Sequence, residues 1–406
     1  MSDPIASEPT EPAPLLTLRG GLPPVVDARR ALSRTIDAVG AGSGPVAIDA
    51  ERASGYRYSA RAYLVQIRRE GTGTALIDPV AFDDLEELGD MLASSEWVVH
   101  AANQDLPCLA ELGMRPTRLF DTELAGRLLG YPRVGLASMV EELLGYRMRK
   151  EHAAVDWSTR PLPEDWLLYA ALDVEVLIEL QDEIRRQLAD TGKLGWAEEE
   201  FAALVNAKPV QPRPDPWRRT SGIHRVRGRR ALAVVRELWH TRDAIAARKD
   251  VTPRRILSDA AIVEAALTMP KGKQALASAP GFRGRGVQRH LGQFADAIGT
   301  ARSLPNSGLP LVTRTYDGPP PAKVWAEKNP SAADRLARCR DAVREVAEHH
   351  NLPVENLIAP DTVRRLCWSP PEPLTHGSVA ATLRGLGARE WQLGLTGSVL
   401  TAALQS

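Results

Sequence analysis

Apolar and polar positions fall into two periods along the first half of the chain. Between residues 28 and 39, 82 and 93, and 106 and 112, apolar residues recur every three or four positions, as in Phe82, Leu85, Leu88 and Leu92, which predicts helices. Short apolar runs bounded by Gly, Pro and polar residues predict strands at 46–49, 62–67, 74–78, 97–101 and 118–121. The short connection 69–73, with two glycines, makes the second and third of these an antiparallel hairpin. Helical spacing returns from Thr122, over 136–144 and over a long stretch 164–188. Strands first, then strands alternating with helices, predict an α/β domain with a mixed sheet over residues 21–206.

Beyond this domain the strand pattern stops. Residues 207–224 carry Pro209, Pro212, Pro214 and Pro216 among arginines and read as an extended linker. Amphipathic runs over 225–303 predict a small all-helical domain, a second linker follows at 304–322, and a further helical domain occupies 323–406. Each helical part has a long first helix, then a short segment placing Pro before a helix opened by a hydroxyl or an acid (Thr252-Pro253, Ser258-Asp259; Pro353, Pro360-Asp361), which suggests a duplication. Residues 1–20 are rich in Pro, Glu, Ser and Thr at their start and are expected to form a disordered tail.

Composition narrows the class. Of 406 residues 44% are hydrophobic and 25% charged, enough to bury real cores, and the formal net charge is zero. Cys108, Cys339 and Cys367 form no CxxC pair, which argues against a zinc knuckle or a disulfide framework and for a reducing, cytoplasmic setting. No apolar run reaches membrane-spanning length, and no basic segment followed by an apolar one opens the chain.

The chemistry begins at Pro45-Val46-Ala47-Ile48-Asp49-Ala50-Glu51. Side chains at i and i+2 of a strand share a face, so Asp49 and Glu51 project together. Like charges that close raise each other's pKa unless a cation sits between them, and carboxylate oxygen suits Mg²⁺ or Mn²⁺. The alternative is an acidic strand end turning into a loop. Asp105 opens a helix after His100-Ala101-Ala102-Asn103-Gln104, where capping is the ordinary job of an Asp. Tyr169 and Asp173, at i and i+4, share a helix face, and Asp156-Trp157 with Arg160-Pro161-Leu162 precedes that helix.

In this order the motifs resemble the DEDDy 3′→5′ exonucleases, and the text between them resembles ribonuclease D more narrowly: Leu64-Val65-Gln66-Ile67, Phe120-Asp121-Thr122, Asp156-Trp157 with Arg160-Pro161-Leu162, and Tyr169-Ala170-Ala171-Leu172-Asp173-Val174. That resemblance implies a ribonuclease H-like catalytic domain followed by small helical HRDC (helicase and RNase D C-terminal) domains, and phosphodiester hydrolysis with two divalent cations. It implies that Asp49 bridges both ions, that Glu51 and Asp173 hold the water-bearing one, and that Asp105 supports the other. Tyr169 would hydrogen-bond the attacking water, which places the chain in the tyrosine branch. The implied substrate is structured RNA with a free 3′ end, such as a tRNA precursor. Single-stranded DNA, or binding without catalysis, are the alternatives.

The loop after Glu51 is basic and carries Tyr56 and Tyr58, which suit either stacking on a terminal base or packing beneath the loop. Arg218, Arg219, Arg225, Arg227, Arg229 and Arg230, with a second set around Lys271, Lys273, Arg283, Arg285 and Arg289, form a basic footprint suited to a phosphate backbone. No GxxxxGK[ST] loop is present, so nothing in the sequence would drive ATP-dependent unwinding.

Overall fold

The computed structural model describes residues 13–149, 152, 154–208, 213–313 and 318–406. The first twelve residues of the expected tail, 209–212 of the first linker and 314–317 of the second lie outside them. The described residues form two compact units, one drawn from 13–51, 62–208 and 318–406 and the other from 52–61 and 213–313.

The first unit is built on a six-stranded mixed sheet. In chain order its elements are β1 (Val25–Val26), α1 (Arg29–Gly40), β2 (Ser43–Arg52), β3 (Ala62–Glu70), β4 (Gly73–Ile77), α2 (Glu86–Leu92), β5 (Glu96–Val99), α3 (Leu106–Glu111), β6 (Arg118–Asp121), α4 (Thr122–Leu129), α5 (Leu136–Leu144), α6 (Glu164–Glu175), α7 (Leu177–Asp190) and α8 (Leu194–Val205). The strand order is β1-β4-β3-β2-β5-β6. The expected hairpin forms, with β3 antiparallel to β4 and Gln66 opposite Leu76. β2 pairs in parallel with β5, and β5 with β6. β1 was not predicted, because two residues are too short to show a period; it joins the sheet parallel to β4.

Strand alternation gives the sheet two different faces. Val46, Ile48, Val65, Ile67, Trp97 and Val99 pack with Ile36, Leu88 and Leu109 of α1, α2 and α3. Ala47, Val98 and Phe120 pack with Leu172, Val174 and Leu180 of α6 and α7. The single helix expected over 164–188 is two, broken at Val176 (φ −121°, ψ 13°). At the break Glu175 turns into the protein, 1% exposed, with its carboxylate 3.0 Å from the Arg68 guanidinium. α8 was also not predicted; its Phe201 ring lies 4.8 Å from that of Phe120.

Part of the expected tail is ordered. The Leu16 N–H donates to the Arg147 carbonyl and the Arg147 N–H to that of Pro14, while the Arg19 N–H donates to Glu175 at 3.2 Å and its guanidinium pairs with Glu179. These main-chain bonds and a buried acid hold 14–19 in place where composition alone suggested disorder.

The second unit is helical: α9 (Arg229–Lys249), α10 (Pro253–Ile256), α11 (Asp259–Thr268), α12 (Gly272–Ala277), α13 (Arg285–Gln288) and α14 (Leu291–Ser303). Leu232, Leu238, Ile262, Phe282, Phe294 and Trp217 form its own core.

The last segment, α15 (Trp325–Lys328), α16 (Pro330–His349), α17 (Val354–Leu357), α18 (Pro360–Trp368), α19 (His376–Gly385) and α20 (Glu390–Gln405), repeats the succession of a long helix, a short turn of helix and a medium helix seen in α9, α10 and α11. Its packing is different. Leu336, Cys339, Leu366 and Leu400 join the same apolar cluster as Phe120, Leu180 and Phe201. Trp391 stacks on Trp196 of α8 at 5.0 Å and donates its indole N–H to Glu200 at 3.0 Å. The Lys193 ammonium, 7% exposed, donates to the carbonyls of Leu128 and His350, each at 2.7 Å. Among the described residues no helix is long and apolar enough to cross a membrane.

Candidate active site

Asp49 and Glu51 sit near the C-terminal end of β2, on the sheet face shared with Ala47, and α6 crosses that face with Tyr169 and Asp173. Carboxylate oxygens of Asp49, Glu51 and Asp173 lie within 4.8 Å of one another. Burial, and then the charge of Asp49, push the Asp173 carboxyl well above its ordinary range, even though the Tyr169 hydroxyl is bonded to it. Burial first, then the charges of Asp173, Glu51 and Asp49, push the Tyr169 phenol up as well, so it stays neutral. Three converging carboxylates and a suppressed phenol make a site whose repulsion a divalent cation would relieve, and an all-oxygen donor set fits Mg²⁺ or Mn²⁺.

Asp105 is 5% exposed at the start of α3. Its carboxylate makes no bond to the first turn of that helix, so the capping alternative does not hold, and its charge acts on Asp173. The segment leading to it is fixed by Asp121, which accepts from the N–H groups of Ala101 (3.0 Å) and Ala102 (2.9 Å) while also capping α4 through Glu123 and Leu124. Ala101 is thereby held at φ 63°, a backbone region that non-glycine residues seldom adopt. His100, expected inside the strand, lies just beyond β5; burial lowers its pKa to about 4, and its Nδ1 is 2.9 Å from the Thr122 hydroxyl.

The residues before α6 lock that helix to the sheet. The Arg160 guanidinium grips both oxygens of Asp78, at 2.6 and 2.7 Å, and donates to the carbonyls of Tyr63 and Trp157, each at 2.8 Å. Trp157 is fully buried, with its ring 5.6 Å from Trp166 and 6.5 Å from Tyr169. His152 escaped the sequence reading, having no local motif to mark it. Its ring meets Tyr169 edge-on at 6.1 Å, its Nε2 is 3.3 Å from Asp165, and its backbone sits at φ 77°. With Tyr169, Asp165 and Asp173 it borders a cavity of about 20 Å³, room for one water.

The remaining candidates belong to the helical unit. The Tyr58 hydroxyl donates to Asp243 at 3.0 Å, and Asp250 accepts from the N–H groups of Tyr58 and Ser59. The Thr252 N–H donates to the Tyr56 carbonyl at 3.1 Å, and the Arg255 guanidinium lies 5.3 Å from the Tyr56 ring. These contacts tie the loop 52–61, which carries both tyrosines, to α9 and to the start of α10, while Tyr58 keeps 40% of its surface exposed. Arg229 donates to the carbonyls of Pro310, Asn306 and Leu309, and Arg230 to those of Ala301 and Leu304. Arg218 pairs with Asp215, donates to the Leu311 carbonyl and covers the Trp217 ring at 4.3 Å. These three fasten segment 301–311, a use that charge counting does not reveal. Arg225 lies 3.8 Å from Glu264, while Arg219 and Arg227 are exposed.

Residues 24–189 match the family of 3′-5′ exonucleases, 231–298 the HRDC domain, and 318–404 the 3′ to 5′ exonuclease C-terminal domain. The chain is similar to Ribonuclease D of Gluconacetobacter diazotrophicus, with 34% identity over 68% of this chain and 72% of the relative. It is similar to Ribonuclease D of Acidiphilium cryptum at 30% identity over 89% of this chain and 93% of the relative. Among solved structures it is similar to a protein from Bifidobacterium adolescentis (TM-score 0.90, 38% identity, 98% of this chain and 100% of that one). It is also similar to Escherichia coli RNase D, described as an exoribonuclease involved in structured RNA processing (TM-score 0.69, 25% identity, 94% of this chain and 98% of that one).

Proposed function

The chain belongs to the ribonuclease D family of 3′-5′ exonucleases, and from that premise we propose that it trims the 3′ ends of structured RNA, such as tRNA precursors, by hydrolysis at a two-cation site. The observation that carries this reading is the convergence of the Asp49, Glu51 and Asp173 oxygens within 4.8 Å, beneath a tyrosine bonded to one of them. Divalent cations bound there would supply charge neutralisation at the phosphate and a nucleophile at neutral pH. Asp49, Glu51 and Asp173 would hold them, with Asp105 lending its charge from the start of α3. Tyr169, kept neutral by burial and by the surrounding carboxylates, acts as a hydrogen-bonding group that orients the attacking water.

The helical unit offers a grip for RNA away from the arginines that fasten segment 301–311. Lys271, Lys273 and Arg302 line a shallow groove of about 440 Å³, where Gly292 and Gly299 leave the surface of α14 open and Asp296 is the acid in the wall. Exposed cations over a bare helix suit a phosphate backbone.

The test is the purified chain with Mg²⁺ or Mn²⁺ on 3′-labelled RNA and DNA of one sequence. Release of nucleoside 5′-monophosphates from the 3′ end of RNA, dependent on added metal and lost in Asp49→Asn with the fold retained, is the expected result. Near-normal turnover by Asp49→Asn would refute the metal assignment, and equal or greater turnover of DNA would refute the substrate.

A further inference from the structure

Gln66 is the polar exception in the apolar run of β3, and it is 0% exposed. Among the described residues both atoms of its amide, Nε2 and Oε1, are buried without a hydrogen-bond partner, whereas Gln181, Asn356 and Arg389 each leave only one such atom unmatched. A buried amide left in that state is destabilising, so a chain that keeps one has a use for it or a water upon it.

Its surroundings narrow the use. Val65 and Ile67 point to the α1 face, so Gln66 points to the other one, which Ala47 shares and on which strand alternation also places Asp49 and Glu51. Along β3 its next neighbour on that face is Arg68, paired with Glu175 of α6, so Gln66 lies beneath the helix that carries Tyr169 and Asp173. On the β4 side it faces apolar Leu76, and on the other side runs β2 with its two acids.

We propose that Gln66 is a positioning residue for the metal-binding carboxylates, its amide holding an ordered water that bonds to the acids of β2 and α6 and orients their oxygens toward the cation. The inference rests on the functional reading above. Groups of this kind, one step removed from a metal, change its affinity by about 10–100-fold when removed.

The experiment is Mn²⁺ binding to the full chain, read by electron paramagnetic resonance, together with the melting temperature of the metal-free protein. In Gln66→Leu we expect Mn²⁺ affinity to fall by about tenfold or more, with the metal-free melting temperature unchanged or raised because an apolar side chain replaces a buried amide and its water. Affinity equal to wild type overturns the proposal, as does a lowered melting temperature with unchanged affinity, which would tie the amide to the Arg68–Glu175 pair alone. If Gln66→Leu does not fold, Gln66→Met carries the same test, and failure of both to fold makes the amide a structural support and ends the proposal. Wild-type protein that binds no Mn²⁺, or binds it equally after Asp49→Asn, sinks the functional reading instead.

Discussion

At the scale of single residues the site is a balance of like charges. Burial and the neighbouring carboxylates raise the Tyr169 pKa, so on the proposed function its protonated hydroxyl positions the attacking water. Tyr169→Phe is expected to leave Mn²⁺ binding in place and to lower the single-turnover rate by about 10²-fold, the low end for a positioned proton-handling group. Equal losses of affinity and rate would make Tyr169 a support of the metal site. Asp173 has the opposite relation to stability. Its folded pKa is raised by burial and by Asp49, so its protonated form favours the fold at low pH, and that contribution is lost as pH rises through the raised value. Metal-free Asp173→Asn is therefore expected to melt above wild type at pH 7 to 8. The gap should close as pH falls below the ordinary carboxylate range of about 4, which thermal melts across pH in the presence of a chelator would check.

At the scale of elements, equal charges do unequal work. Arg229 spends its donors on the carbonyls of Asn306, Leu309 and Pro310, whereas Lys271 and Lys273 are exposed beside an open stretch of α14. Arg229→Ala is expected to lower stability by about 1–3 kcal/mol, since carbonyls lose their donor. Its effect on the slope of log affinity against log salt should be small. Lys271→Ala with Lys273→Ala should do the reverse, lowering that slope by about 0.7–0.9 per residue with no change in melting temperature. Measuring both quantities on both variants, in an Asp49→Asn background with an RNA ligand, separates structural from binding cations. An exchange of the two outcomes would refute the assignment.

At the scale of the whole molecule, the last helical segment is part of the catalytic unit. Sequence order suggests a catalytic domain that could be cut off after Val205, but Leu336, Leu366 and Leu400 share one apolar cluster with Phe120 and Leu180. Such a cut also strips the carbonyl of His350 from Lys193 and the ring of Trp391 from Trp196. A chain ending at Val205 is expected to melt well below the full chain or to aggregate. A fragment that stays monomeric with an unchanged melting temperature would show that the cluster contributes little.

The sequence by itself determined the alternation of strands and helices, the β3–β4 hairpin and the helical second half. Its motifs, by their resemblance to a family, nominated Asp49, Glu51, Asp105, Tyr169 and Asp173, of which the structure brings the Asp49, Glu51 and Asp173 oxygens within 4.8 Å of one another. Each of these readings follows from a local period, or from a short ordered motif whose spacing survives in one dimension. Tertiary structure decided the rest. The break at Val176 comes with the pairing of Glu175 and Arg68, residues 14–19 are bonded to Arg147 and Glu175, and His152 meets Tyr169 from a stretch of sequence with no signature. Partners far apart in the chain set these features, and neither period nor composition records which distant group a side chain will meet.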